Sequence, residues 1–137
     1  MKRLQRVQNT AARLLTNTRK YDHITPALKQ LHWLPIKARV EYKFLVLTYK
    51  AIEGTAPVYL AGLVEVFIPL RCDLRSSNDR FLLDVPFTAL KSGGDRAFCK
   101  AAPVLWNRLP LELRMCETLK LFKGKLKTHL FRRYFDC

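Results

Sequence analysis

The chain has 137 residues, 49% of them hydrophobic and 11% aromatic, which is enough for one domain with a real core and excludes an intrinsically disordered chain. Its 25 Lys and Arg against 11 Asp and Glu give a net charge of +14, a field that favours a polyanionic partner, either nucleic acid or an anionic membrane surface. No run reaches the roughly 18 to 20 apolar residues of a membrane span. The amino-terminal MKRLQRVQNTAARLL carries charge through the region a secretory signal keeps apolar, so the expectation is a soluble intracellular protein, nuclear or cytoplasmic.

Residues 2 to 16 are predicted to form the first helix. Leu4, Val7, Ala11, Leu14 and Leu15 share one side, and Lys2, Arg6 and Arg13 form a basic stripe on another. Such a stripe can follow phosphates or simply face solvent; the apolar side has no aromatic residue, which argues against a helix lying on a membrane. Thr25 before Pro26 is expected to start a second, short helix with Ala27, Leu28 and Leu31 as its apolar face, Thr capping free N–H groups and Pro preset for the first turn. His23 and His32 flank it with no nucleophile nearby and no carboxylate system beyond Asp22, and read as hydrogen-bonded structural histidines.

The stretch 36–52 is predicted to be the central helix. Ile36, Val40, Phe44, Leu47 and Ala51 fall in an arc of about 80°, and Ala38, Tyr42, Leu45, Tyr49 and Ile52 fall on the opposite side, so two faces can be buried. The polar residues are confined to two edges: Lys37, Glu41 and Thr48 on one, Arg39, Lys43 and Lys50 on the other, the latter purely basic. Pro35 suits the start of this helix and Gly54 its left-handed stop.

Beyond Gly54, Pro57 opens a short helix with Tyr59, Leu60, Leu63 and Val64 as its buried side. A loop follows around LRSSNDR, where Arg71, Arg75 and Arg80 alternate with Asp73 and Asp79 and read as solvated. FLLDVP is the only strand-like run; it is expected to pair with residues near 88–92 as a small hairpin or to lie extended across the helices. Asp95 after Gly93 and Gly94 is expected to cap a helix in which Ala97, Phe98, Ala101, Leu105 and Trp106 point inward, with Pro103 kinking or dividing it. GGDR lacks the spaced glycines and Lys-Ser/Thr of a phosphate-binding loop. The last helix, about 118–135, buries Leu119, Phe122, Leu126, Leu130 and Tyr134 and scatters its lysines and arginines around the wheel.

Charge is unevenly spread: net +9 over residues 1–50, +1 over 51–114 and +4 over 115–137, so the excess lies at the two ends. Cys72, Cys99, Cys116 and Cys137 are too far apart for a zinc knuckle or a redox pair, His23, His32 and His129 complete no metal set, and the cysteines read as reduced. No metal or other cofactor and no small-molecule substrate is expected.

The blocks LQRVQNTAARLLT (4–16), YDHITPALKQLHWLPIKARVEYKFLVLTYKAIEGTAPVYL (21–60), LRSS (74–77), GDRAFCKAAPVLWNRLP (94–110) and FKGKLKTHLF (122–131) resemble, in order, the carboxy-terminal region of the polyproteins of non-LTR (LINE-type) retrotransposons, after the reverse transcriptase palm and thumb. The chain departs from that pattern in DVPFTALKSGG, where related tails carry basic residues near positions 87 and 89 and this chain has Phe87 and Ala89. The resemblance implies a parent that is an RNA-directed DNA polymerase. The Asp-Asp turn that holds its Mg²⁺ ions is absent from this sequence, so no catalytic residue is carried over.

The expected architecture is therefore mainly α: a small helical bundle around a central helix at about 36–53, with at most one short β-hairpin near 80–92. It forms a single domain over 1–137, with residues 1–20 loosely attached and 68–94 loop-rich. The expected function is noncatalytic binding of RNA or DNA through phosphate contacts from Lys2, Arg6, Arg13, Arg39, Lys43, Lys50, Lys123 and Lys127. The alternative is a structural or protein-interaction module that docks on the upstream reverse transcriptase domain, exposed aromatics such as Tyr42 or Tyr49 marking the interface.

Overall fold

A computed structural model of the chain describes residues 1–67, 82–87 and 97–135. Seven helices lie among them: α1 (Lys2–Thr16), α2 (Ile24–Gln30), α3 (Ile36–Ile52), α4 (Val58–Ala61), α5 (Phe98–Asn107), α6 (Leu111–Arg114) and α7 (Leu119–Phe135). The mainly helical expectation holds. The loop around LRSSNDR, residues 88–92, the Asp95 cap, Cys72 and Cys137 lie outside the described residues.

The chain divides into two compact units: Met1–Tyr42 with Leu126–Cys137, and Lys43–Lys125. The first holds α1, α2, the opening of α3 and the second half of α7. With neither Pro nor Gly in its interior, α1 runs to Asn17, whose left-handed φ of 51° turns its N–H back onto the Arg13 carbonyl. It is attached through its polar edge. Gln8 Nε2 donates to the Leu34 carbonyl at 2.8 Å, and Gln5 Oε1 accepts from the Ile36 N–H at 2.9 Å. Those are backbone groups of the Leu34-Pro35-Ile36 junction, where the proline lacks an N–H and the first turn of α3 has free donors. Gln8 and Ala12 are thereby buried, whereas Leu4, Val7, Leu14 and Leu15 stay exposed at 61%, 68%, 79% and 64%.

α2 starts at Ile24 with His23 in the capping position and no side-chain cap, so Thr25 sits inside the helix and does not cap it. Pro26 still falls in the first turn, where its missing N–H costs nothing. The helix closes with Trp33 N–H on the Leu28 carbonyl at 2.9 Å and His32 at φ 50°. Neither flanking histidine has a side-chain hydrogen bond among the described residues; the His32 ring rests against Phe131 at 5.8 Å.

The second unit is built on the rest of α3. Leu45, Val46, Thr48, Tyr49 and Ala51 are all buried, so the helix is enclosed around most of its circumference there. Thr48, expected on a polar edge, is buried because its hydroxyl donates to the Phe44 carbonyl at 2.8 Å and leaves no donor unsatisfied. Tyr49 stacks on Phe122 at 4.6 Å, Trp106 lies 5.8 Å from Phe122, and the Tyr49 hydroxyl donates to the Cys116 carbonyl at 2.8 Å. Tyr49 is thus a core residue and not an exposed interface aromatic; Tyr42 is half-buried. Gly54, at φ 69°, ends α3 and lets the Thr55 N–H reach the Lys50 carbonyl.

α4 is a single turn whose Tyr59 is exposed, as is Leu63, so the buried side expected for Tyr59, Leu60, Leu63 and Val64 does not form. α5 continues through Pro103 in one piece. Its buried edge is Ala102, Pro103 and Trp106; Ala97, Phe98, Ala101 and Leu105 are half-buried. The described part of the strand-like run meets residues 65–67 through one antiparallel bridge between Val66 and Leu83. Its other side is held by Asn107, whose amide donates to the Leu83 carbonyl at 2.8 Å and accepts from the Leu83 N–H at 2.9 Å, standing in for a neighbouring strand. α7 buries Phe122, Leu126 and Leu130 as expected, with Leu119 and Tyr134 half-buried.

Candidate nucleic-acid interface

Lys2 and Arg6 project into solvent from α1, on the side away from its leucines. Arg13, one turn from the end of the same stripe, is used differently. Its guanidinium donates to the carbonyls of Arg19 and Asp22, the latter at 2.8 Å, and so ties the α1–α2 loop to the helix. The carboxylate of Asp22 accepts the Arg19 N–H at 3.1 Å, which closes the same loop. Arg13 is a strut of this loop, with fewer donors left for a phosphate than Arg6.

Arg39, Lys43 and Lys50 fall within an arc of about 40° along α3, spanning about 16 Å. Arg39 and Lys43 are exposed, and Lys50 is half-buried with its carbonyl occupied by Thr55 and Ala56. On α7, Lys127 is exposed and Lys123 half-buried. Lys2, Arg6, Arg13, Arg39 and Lys127 belong to the first compact unit, and Lys43, Lys50 and Lys123 to the second.

The first unit concentrates the charge: twelve basic residues against three acidic ones. Ten of the twelve are exposed; only Arg13 and Lys29 are half-buried, Lys29 with its ammonium 5.9 Å from the centre of the Phe135 ring. One acid of this unit, Glu41, is turned inward: its Oε1 accepts from the Tyr134 hydroxyl at 2.7 Å, and its Oε2 lies 3.6 Å from Arg133. Burial, the hydrogen bond to Glu41 and the charge of Glu41 together push Tyr134 up to about 12. Burial, and then the neighbouring Arg133, hold His129 below the ordinary imidazole range, so it adds no charge at neutral pH. Glu41 therefore pairs with Arg133 of α7 and neutralises none of the cations on the outside of α3.

Exposed Arg3, Lys37 and Arg132, none of them among the expected contacts, extend this cationic surface. Arg3 had a readable signal: residues 1–21 contain no acid at all, so nothing on α1 can pair with it. Trp106 is buried against Tyr49 and Phe122, in keeping with a packing residue and not a stacking platform for bases.

Among the described residues no cluster of three or more His, Cys, Asp or Glu could hold a metal, and no helix is long and apolar enough to cross a membrane. Cys99 and Cys116 are free thiols, the buried Cys116 lying 3.4 Å from the Glu112 carbonyl. Comparison with protein-family models, with curated proteins and with solved structures finds no match to this chain.

Proposed function

We propose that the chain is a noncatalytic, basic nucleic-acid-binding tail of a LINE-type RNA-directed DNA polymerase polyprotein, as a fragment or truncated copy, holding RNA or DNA by its phosphates. The observation that carries this reading is the cationic surface of the first unit: ten exposed basic side chains, of which Arg133 meets the inward-turned Glu41. The sequence blocks that resemble LINE-type tails supply the identity of the polyanion. Lys2 and Arg6 on α1, Arg39 and Lys43 on α3 and Lys127 on α7 are the leading contacts; Lys50 and Lys123 are half-buried and Arg13 is committed to its loop. With its cations spread over α1, α3 and α7, the binding is to backbone charge and has little sequence preference.

The test is titration of the full chain against labelled single-stranded RNA and duplex DNA, comparing the wild type with Arg39→Glu/Lys43→Glu. Both side chains are exposed, so folding is retained. The double variant should bind at least about tenfold more weakly on every sequence tried, with a shallower salt dependence. Equal affinity of variant and wild type would reject the α3 edge as a phosphate contact.

A further inference from the structure

We propose that α1 is a docking rail for an acidic amphipathic helix of a partner protein. Its leucine side is not part of the fold. The helix is held through Gln5, Gln8 and Ala12, and the exposed Leu4, Val7, Leu14 and Leu15 line an arc of about 100° along about 16 Å of helix. Leu4, Val7, Ala11 and Leu14 recur at spacings of three, four and three, which is the seam of a two-helix coiled coil. Such a narrow, contiguous apolar strip marks an interaction site.

The charge beside the seam selects the occupant. Arg3 borders it next to Leu14 on the wheel, Arg6 and Lys2 lie further round, and no acid occurs before Asp22. A second copy would set two all-cationic helices side by side, which like charges oppose. Nucleic acid offers phosphates but nothing that gains from burying leucines. A membrane surface calls for a broader apolar face with aromatic anchors, and this one has none. A helix with leucines on one stripe and glutamates flanking it satisfies both the strip and the cations.

The experiment is a fluorescence-anisotropy titration of the full chain with a labelled synthetic helix of about three heptads, leucine at the seam positions and glutamate beside them. Two control peptides accompany it, one with serine for leucine and one with lysine for glutamate. The acidic leucine helix should bind, and Leu4→Gln/Leu14→Gln should weaken it by about tenfold or more with helix content unchanged, because both side chains are exposed. Arg3→Glu should shift preference from the acidic towards the lysine-flanked peptide. Failure of the acidic helix to bind, equal binding of the serine peptide, or leucine-dependent self-association in sedimentation would each overturn the proposal. So would leucine-dependent binding to phosphatidylserine vesicles without binding to the helix. The leucine variant keeps every cation, so its affinity for RNA reads the nucleic-acid proposal separately.

Discussion

The hydrogen bond from Tyr134 to Glu41 is sensitive to alkaline pH. The phenol is held neutral up to about 12, first by burial and then by the carboxylate beside it. In the unfolded chain the same phenol loses its proton near 10. Between these values the unfolded state binds fewer protons than the folded one, so stability is intact below pH 10 and falls as pH rises towards 12. Tyr134→Phe should therefore cost about 1–2 kcal/mol at pH 7 by removing the bond to Glu41, and should flatten the alkaline fall in stability, both read from urea unfolding at several pH values. Asn107 is the counterpart in the second unit: Asn107→Ala leaves the N–H and C=O of the buried Leu83 without their partners and should cost about 1–3 kcal/mol. If that variant unfolds at the wild-type urea midpoint, the amide does not hold the extended segment.

At the level of elements, the helices with regular apolar spacing were readable and the direction of their faces was not always so. α7 follows the wheel, with Phe122, Leu126 and Leu130 in the core, and α3 does so on one face, where Ala38, Leu45 and Tyr49 are buried, while Ile36, Val40, Phe44 and Leu47 of its other face are half-buried. α1 has the same periodicity and the opposite outcome. Hydrophobic pattern shows which residues share a face, but the face that is buried was decided by Gln5 and Gln8 finding backbone groups at a proline junction, a tertiary contact that spacing cannot encode. Thr25 looked like a cap because it precedes a proline, yet Pro26 is tolerated within the first turn and the helix begins earlier. The contacts of Leu83 with Val66 and Asn107 were not readable for a related reason, since both residues lie far along the chain. Phe122 is fully buried between Tyr49 and Trp106, so Phe122→Ala should destabilise by about 3–5 kcal/mol in thermal or urea unfolding, against less than about 0.5 kcal/mol for Lys120→Ala on the exposed side of the same helix.

For the whole molecule the candidate site is a distribution of charge and not a cleft, and that was legible from counting: the excess of cations towards the two ends of the chain becomes a unit with twelve basic and three acidic residues. Which cations stay available was not legible, because Arg13 reads as one of a solvent stripe and is instead hydrogen-bonded to its own loop. Arg13→Ala should accordingly loosen the α1–α2 loop, seen as faster amide exchange at Arg19 and Asp22, while lowering RNA affinity less than Arg6→Ala does. The central claim is that exposed cations grip phosphates, and the slope of log K against log salt for full-length chain and duplex DNA reads it directly. Four or more simultaneous phosphate contacts predict a slope of about −3.6 or steeper; a slope near zero, with affinity unchanged by salt, would contradict the account.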